Sequence, residues 1–338
     1  MSIRFLLVIC LLFLSTDKIF SQKKISVAGS WNFQLDPDSS GEKQQWHRQK
    51  FSETIQLPGT TDEAHKGIKT SGPDYGILSR AYKYVGPAWY RREINIPPAW
   101  KGKDIELFLE RVMWESKVWV DGKIATTKDA LAVPHVHQLG KLAPGTHVLT
   151  LRINNDLIYN IGDKGHVYTE YTQSIWNGAV GKIELRARET THITGLQVYP
   201  DADNKKLSVK LKVENPAALK VVYTITDLQT GKKVFSQQEL LSNKEEQTNT
   251  LRLGFPIKLW DEFSPNRYRI SATLQNKDEV TADFGFRSVG HTRSKILINN
   301  APVFMRGNLD CVHFPLTGYP STDVKEWERI FKIYKSYG

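Results

Sequence analysis

The chain has 338 residues, a formal net charge of +10 at pH 7 and a hydrophobic fraction of 40%. That length predicts two or three domains, and the apolar content is ample for packed cores. Lys and Arg are spread along the chain without a block of like charges, whereas a nucleic-acid surface needs clustered cations. We therefore expect a globular protein with a charged surface and no nucleic-acid partner.

The N-terminus has the features of a secretory signal peptide over residues 1–21. Arg4 precedes an apolar run over 5–14, and Ser21 offers a small residue at the expected cut. The run is too short to span a bilayer, so we expect no stable membrane insertion. Removal of the peptide would leave Cys311 as the sole cysteine and exclude an internal disulfide. The mature protein is thus expected to be periplasmic or secreted.

Residues 22–188 have the pattern of a β-sandwich of the jelly-roll type. Short alternating runs recur without a long helical period, and turn residues separate them. Asp121-Gly122 also predicts a tight hairpin, because glycine tolerates a positive φ. The clearest predicted strands are Trp89–Ile96, Asp104–Glu110, Ser116–Val120, His147–Ile153 and Lys182–Arg186.

Residues 189–289 continue as strands with a different spacing. A stretch of roughly 100 residues of this kind without cysteine fits an immunoglobulin-like β-sandwich that lacks the disulfide. Pro200 and Asn215-Pro216 are assigned to turns. The predicted strands are Leu207–Val213, Lys220–Thr226, Lys233–Gln237, Thr248–Leu253, Arg267–Leu274 and Thr281–Phe286.

Residues 290–338 differ from both sandwiches. The stretch Ile296–Met305 is predicted to be a hairpin that runs into a buried strand. Asp323, followed three residues later by Glu326, predicts a helix start of the capping-box type. One apolar face at helical spacing follows, made of Trp327, Ile330, Phe331 and Tyr334. A strand followed by a helix is one βα unit rather than a domain.

Five motifs follow one another along the mature chain. They are Trp89-Tyr90-Arg91-Arg92, Val118–Lys123, Trp176–Leu185, Leu259-Trp260 with Gly285-Phe286-Arg287, and Asn299–Gly307. In this order and spacing the chain resembles glycoside hydrolase family 2, the family of β-galactosidases, β-glucuronidases and β-mannosidases. The resemblance covers nearly the whole mature chain. It implies a mostly β fold: a jelly-roll sugar-binding domain, an immunoglobulin-like β-sandwich, and the first βα unit of an incomplete (β/α)8 TIM barrel.

The resemblance implies a retaining glycosidase with two catalytic glutamates late in the barrel, the acid/base residue preceded by Asn. The chain contains no Asn-Glu dipeptide, so both glutamates are expected beyond residue 338 and this chain alone is expected to be inactive. A carbohydrate glycoside and the missing barrel segment are the expected partners. The stretch Asn308–Cys311, with His313 after it, departs from the family's Arg-Gly-His pattern and disfavours a galactosidase-like specificity.

The resemblance also indicates which side chains would bind sugar, and it assigns no catalytic residue within the chain. The predicted substrate-binding residues are Gln173, Trp176 and Asn177 from the first sandwich and Arg306, Asp310 and His313 from the barrel mouth. Trp176 can instead be a core anchor of the sandwich, and Arg306 can belong to a structural ion pair. The carboxylates expected nearest the barrel are Glu170, Asp156, Asp163 and Asp310, for which solvated or capping roles are the alternative.

Other chemistries have weaker sequence support. His135 and His137 alternate like metal ligands on one strand face, but no third ligand has a matching spacing. The chain has no Gly-x-Ser-x-Gly elbow, and we expect neither a cofactor nor a bound metal. Two further function classes remain open. One is a free-standing carbohydrate-binding protein, since a jelly roll can bind glycans without catalysis, and the other is an interaction protein that completes another chain.

Overall fold

The computed structural model describes residues 23–71, 75, 80–162, 169–171, 174–309 and 317–337. The predicted fold class is confirmed, because these residues form two successive β-sandwiches and a C-terminal α-helix. In the described ranges the only helical turns before that helix are 3-10 turns at Trp46–Arg48 and Pro98–Trp100. None of the helices in these ranges has the length and apolarity that a membrane span requires.

The first sandwich contains two antiparallel sheets. The five strands predicted there are all confirmed as strands. Its strands are β1 (Lys24–Ser26), β2 (Gly29–Leu35), β3 (Glu53–Leu57), β4 (Gly59–Thr60), β5 (Ile68–Lys69), β6 (Tyr82–Lys83), β7 (Pro87–Ile96), β8 (Asp104–Met113), β9 (Glu115–Val120), β10 (Lys123–Lys128), β11 (His135–Gly140), β12 (Gly145–Asn154) and β13 (Gly178–Arg188). One sheet has the order β10-β9-β12-β7-β2-β3, the other has the order β1-β13-β8-β11 with β4 beside β13, and β5 pairs with β6.

The core of the first sandwich lies between these sheets. The alternation that defines a strand places Phe33, Tyr90 and Ile94 from one sheet against Leu107 and Leu109 from the other. All five are buried, and each large apolar side chain removed from water contributes about 1.5–3 kcal/mol. Packing between the sheets therefore holds the first sandwich together without a disulfide.

The hairpin predicted at Asp121-Gly122 is confirmed. Lys123 pairs with Val120, so the loop between β9 and β10 contains two residues, with φ values of 51° and 74°. Two positive φ values define the type I′ turn, which matches the strand twist and favours Asp-Gly. The Asp121 carboxylate also accepts hydrogen bonds from the backbone N–H of Val148 at 2.8 Å and from Nδ1 of His147 at 2.7 Å.

The second sandwich has the seven strands of an immunoglobulin-like domain. They are β14 (His192–Asp201), β15 (Lys206–Glu214), β16 (Lys220–Asp227), β17 (Lys233–Leu240), β18 (Glu246–Arg252), β19 (Tyr268–Leu274) and β20 (Glu279–Phe284). The orders β14-β15-β18 and β17-β16-β19-β20 give sheets of three and four strands around a separate core. That core contains Leu207, Tyr223 and Ile270, and no cysteine lies in it.

The turn assigned to Pro200 is wrong. Pro200 lies inside β14 and is paired with Leu207 of β15. Proline is tolerated there because β14 is the edge strand of its sheet, and the missing N–H can face outward. Asn215, in contrast, has a φ of 45° between β15 and β16, as expected of a turn residue.

The third segment begins as the predicted hairpin, but it does not continue as a buried strand. Strands β21 (Val289–His291), β22 (Ile296–Ile298) and β23 (Ala301–Pro302) are joined in that order, and Asn299 and Asn300 form the second turn. Beyond β23, Phe304 and Met305 are 79% and 70% exposed. These residues have the apolar character of a buried strand, but the described part of the chain places no layer over them.

The helix α1 (Val324–Ser336) begins where the sequence predicts. Asp323 is its N-cap, and its side chain accepts a hydrogen bond from the N–H of Lys325 at 2.9 Å. The reciprocal half of the capping box is absent, because Glu326 pairs with Arg329 instead. No described residue of α1 is buried, and Phe331 on its apolar face is 55% exposed.

We predict that the contact between His147 and Asp121 stabilises the fold in a limited pH range. Burial opposes protonation of His147, but hydrogen bonds to Asp121 and to the Ala143 carbonyl outweigh it and raise the pKa above 6.5. Burial opposes ionisation of Asp121, but its hydrogen bonds lower the pKa below 3.8. A histidine whose pKa is raised in the folded state stabilises the fold at pH values below 6.5. An aspartate whose pKa is lowered stabilises the fold at pH values above 3.8.

Asp121→Asn keeps a residue suited to the turn and removes the charge. We expect the variant to lose less than about 1 kcal/mol near pH 5.5 and almost nothing near pH 8.5, because the pair is largely solvated. Thermal unfolding at both pH values measures this, and Asp203→Asn, an exposed site, controls for the change in net charge. A loss of stability that grows toward high pH would contradict the raised pKa of His147.

Candidate functional site

The first sandwich meets the segment before α1 at Trp176, one of the predicted sugar-binding residues. Its side chain is 2% exposed and packs in a small cluster with Met113, Trp114 and Val180. The ring of Tyr319 covers the cluster, with its centroid 5.8 Å from that of Trp176. In this geometry Trp176 is a core anchor, the alternative that the sequence left open, and its predicted contact with sugar remains a prediction.

Asn177 is fully buried and hydrogen-bonded inside the protein. Its Oδ1 accepts a hydrogen bond from the Tyr90 hydroxyl at 2.9 Å, and its Nδ2 donates to the Gly86 carbonyl at 2.8 Å. Longer bonds of 3.3 Å join Nδ2 to the Ile153 carbonyl and to Oδ1 of Asn155. A sugar hydroxyl could reach this amide only if those bonds were broken, so the geometry does not favour the predicted sugar contact.

Two polar contacts reinforce the contact between Tyr319 and Trp176. The Ser174 hydroxyl donates a short hydrogen bond to the Gly318 carbonyl. The Tyr319 hydroxyl donates to the Glu63 carboxylate at 3.2 Å, and burial, with a smaller contribution from Glu63, raises the pKa of Tyr319 to about 12. We call Ser174, Trp176, Gly318, Tyr319 and Glu63 the junction. It attaches the third segment to the first sandwich.

Glu170, one of the carboxylates expected near the barrel, is engaged in a double ion pair. Its Oε1 lies 3.2 Å from Nη2 of Arg80, and its Oε2 lies 2.6 Å from Nζ of Lys83. Burial lowers the pKa of Arg80, and the charge of Glu170 opposes that effect. Because cationic donors occupy both oxygens, neither is available to attack or protonate a substrate in this geometry.

The other predicted residues are scattered or lie outside the described ranges. Arg306 is exposed and has no ion pair with any described residue, so the structural ion pair considered as its alternative is not found there. The Asp156 backbone N–H is bonded to Asn154 Oδ1 at 3.1 Å in a turn. The remaining candidates, Asp163, Gln173, Asp310 and His313, lie outside the described residues.

The junction is the feature that sequence reasoning missed. Beside it lies a cleft of about 380 Å³ lined by residues of β8, β13 and the start of α1, including Arg111, Val180, Ser321 and Trp327. The sequence signal available was the turn Gly318-Tyr319-Pro320, where Gly318 has a φ of 76°. That signal predicts a turn, but it does not identify a docking partner that lies far away in the sequence.

His135 and His137 are structural in this fold. Their ring nitrogens lie 2.6 Å and 2.7 Å from the hydroxyl oxygen of Ser116, and all three residues are buried. Burial, and secondarily the neighbouring His135, lowers the pKa of His137 to about 3. Within the described ranges no third candidate metal ligand joins the two imidazoles. The shared hydroxyl engages one ring nitrogen of each histidine that the sequence presented as a possible ligand.

Comparison with known proteins relates this fold to one group of glycosidases. The sequence model of the family described as "Glycosyl hydrolases family 2" matches residues 191–287. A β-glucuronidase of Paenibacillus borealis is 25% identical over 145 residues, which are 42% of this chain and 23% of that protein. The β-glucuronidase of Rattus norvegicus is 23% identical over 314 residues, which are 82% of this chain and 46% of that protein.

The crystal structure of Ruminococcus gnavus β-glucuronidase has the same fold over most of the chain. The TM-score is 0.69 at 20% identity, and the match covers 92% of this chain and 53% of that one. The family match, the relatives and the shared fold support membership of glycosyl hydrolase family 2. It spans less than half the length of either sequence relative described above.

We predict that Asn177→Ala destabilises the first sandwich by about 2–3 kcal/mol. The substitution leaves the buried Tyr90 hydroxyl and the Gly86 carbonyl without their partner, and unsatisfied buried groups cost about 1–3 kcal/mol each. Chemical denaturation measures the loss, and Asn95→Ala, an exposed site on the same strand as Tyr90, is the matched control. Equal effects of the two substitutions would show that the buried amide is not important.

Packing of the Tyr319 ring, rather than its hydroxyl, is expected to hold the third segment. Tyr319→Ala uncovers Trp176 and should increase the rate of tryptic cleavage within α1 at least several-fold, since release from the first sandwich lets the helical backbone around Lys325 and Arg329 unfold into the protease. Tyr319→Phe keeps the ring and loses the long bond to Glu63, so its cleavage rate should stay near that of the unmodified chain. Equal cleavage of all three proteins would contradict the packing account.

Proposed function

We propose that this chain forms the non-catalytic β-sandwich part of an exported, retaining glycosidase of the β-glucuronidase type. The observation that carries the proposal is the match of 92% of this chain to 53% of the R. gnavus β-glucuronidase. The family match within 191–287 and the β-glucuronidase relatives support the same reading. Export is part of the proposal and rests on the signal-like residues 1–21. N-terminal sequencing of exported protein tests it by locating the cut near Gln22.

Retaining hydrolysis needs two carboxyl groups about 5–5.5 Å apart, one as nucleophile and one as acid/base. In a (β/α)8 barrel such groups come from the ends of several strands. Glu170, a described carboxylate just before the predicted sugar loop in the sequence, has both oxygens occupied by Arg80 and Lys83. The proposal therefore assigns the catalytic pair to barrel strands that follow the two sandwiches.

In the proposal the first sandwich positions the beginning of that barrel. The junction holds the turn at Gly318 and Tyr319 against Trp176, just ahead of α1. Alignment of reacting groups within fractions of an ångström decides much of an enzyme's rate, so a rigid attachment point near the barrel would contribute to activity. The uncovered apolar face of α1, with Phe331 and Tyr334 partly exposed, is consistent with a neighbouring layer of the barrel.

Assays with aryl β-glucuronide, β-galactoside and β-mannoside test the proposal. The purified chain should turn over none of them, whereas a longer polypeptide that adds the barrel should hydrolyse the β-glucuronide preferentially. Activity of the chain alone that persists through successive purification steps would overturn the non-catalytic assignment. Preference of the longer polypeptide for the β-galactoside or β-mannoside would overturn the substrate assignment and leave the family membership intact.

A further inference from the structure

A polar bridge joins the two sheets of the first sandwich at the edge formed by β11. It consists of Ser116 in β9, which belongs to one sheet, and of His135 and His137 in β11, the edge strand of the other sheet. The Ser116 hydroxyl oxygen lies 2.6 Å from Nδ1 of His135 and 2.7 Å from Nε2 of His137. One hydroxyl therefore ties two buried residues of β11 to the opposite sheet.

The hydrogen atoms of the polar bridge follow from the partner at one of its ends. Nε2 of His135 lies 2.7 Å from the Ala130 carbonyl, which can only accept, so Nε2 carries the hydrogen and Nδ1 of the neutral ring accepts. The Ser116 hydroxyl donates its single hydrogen to that Nδ1. Nε2 of His137 must then donate to the Ser116 oxygen, and Nδ1 of His137 carries no hydrogen.

This arrangement has no place for an added proton. On Nδ1 of His135 a proton would turn the acceptor of the Ser116 hydroxyl into a second donor. On Nδ1 of His137 it would create a buried N–H for which no residue in the described ranges is a hydrogen-bond partner. All three side chains are at most 1% exposed, so water does not solvate the resulting charge. The polar bridge is therefore complete only while both histidines are neutral.

The surroundings of the two imidazoles also disfavour a positive charge. β8 presents leucine side chains opposite both residues, and β9 presents the shared hydroxyl. Lys128, at the end of β10, lowers the pKa of both rings. Asp129 favours protonation of His135, and a backbone contact with β10 favours protonation of His137, but burial outweighs both effects. Burial thus lowers the pKa of His135 below 6.5 and that of His137 to about 3.

The polar bridge also determines where one wall of the cleft beside the junction lies. His135 binds the Ala130 carbonyl and so holds the loop 129–134, which connects β10 to β11. Ala132 and Pro134 of that loop line the cleft together with the start of α1. Among the described strands β11 pairs with β8 alone, so few other polar contacts hold it. The charge of the two histidines is thereby coupled to the position of the cleft wall.

We propose that the polar bridge is an acid-sensitive switch, in which protonation of His135 and His137 releases β11 and the loop 129–134 from β9. The released form takes up as many as two protons that the closed form excludes. A histidine whose pKa is lower in the closed form stabilises that form fully above 6.5, and this stabilisation is lost as the pH falls toward the lowered value. The switch lies within the first sandwich and does not rest on the proposed function.

Hydrogen exchange measured by mass spectrometry tests the switch on the whole chain. The peptide over 129–140 contains the loop and β11, and its protection at pH 7 and pH 5 is compared with that of the peptide over β12, after correction for intrinsic exchange rates. Protection of the first peptide should fall at least tenfold more than that of the second, because His137 alone shifts the opening equilibrium about 25-fold. An equal fall in both peptides would indicate general acid destabilisation and overturn the switch, as would unchanged protection.

Matched variants assign the pH response to the two histidines. His137→Gln keeps an amide N–H for Ser116 but does not titrate, so the response should decrease to about that of one histidine. Combining it with His135→Asn should remove the response. His291→Gln makes the same change at an exposed histidine of β21 and should leave the response intact. A full response in the double variant, or its loss in His291→Gln, would overturn the assignment.

A titration of the imidazole resonances by NMR needs no variant and keeps the proposal testable if the substitutions prevent folding. In the unmodified chain both rings should remain neutral at pH 6.5, where an exposed histidine is half protonated. Their protonation at lower pH should coincide with the loss of protection over 129–140. Protonation of either ring while that peptide stays protected would show that the closed form accepts the charge, and would overturn the switch.

Discussion

The buried amide of Asn177 is the interaction on which the rest of the structure depends. Asn177 lies immediately ahead of β13. Its amide accepts a hydrogen bond from the Tyr90 hydroxyl of β7, in the opposite sheet, and donates one to the Gly86 carbonyl just before β7. A buried amide with its donors and acceptor satisfied stabilises the fold, whereas the same amide without partners would cost several kcal/mol. The bonds of Asn177 therefore determine how the two sheets meet at this end of the sandwich.

The position of the third segment follows from the neighbouring residue. Trp176 and Asn177 are consecutive, so fixing the amide inside the first sandwich also fixes the indole that Tyr319 covers. The bond from Ser174 to the Gly318 carbonyl adds a second point of attachment nearby. Because the chain is attached to the first sandwich at two places just before α1, the start of that helix has a defined position. This is what a barrel built onto the sandwich would require.

The sequence predicted those parts of the fold that depend on local pattern. The alternating runs of β7, β12 and β16 and the Asp121-Gly122 turn were read correctly, since strand period and positive φ are properties of neighbouring residues. Pro200 was misassigned because its tolerance depends on β14 being an edge strand, which only the assembled sheet decides. Glu326 was expected in a capping box, but its pairing with Arg329 competes with the cap.

The candidate site was less predictable, for a physical reason. Trp176 is predicted to contact sugar, but the structure buries it under Tyr319, which lies outside any local window. Glu170 has the chemistry of a catalytic carboxylate, and only the distances to Arg80 and Lys83 show that its oxygens are occupied. The motifs thus indicated the family, whereas the role of each side chain depended on contacts between distant parts of the chain.

The most direct test of the non-catalytic assignment is covalent trapping of the nucleophile. A retaining enzyme forms a glycosyl-enzyme intermediate on its nucleophilic carboxylate, and an activated 2-fluoro-glucuronide makes that adduct long-lived enough for mass spectrometry. The account predicts no adduct on any peptide of this chain and a stoichiometric adduct on a barrel glutamate of the longer polypeptide. A stoichiometric adduct on Glu170 or on any other carboxylate within residues 22–338 would contradict it.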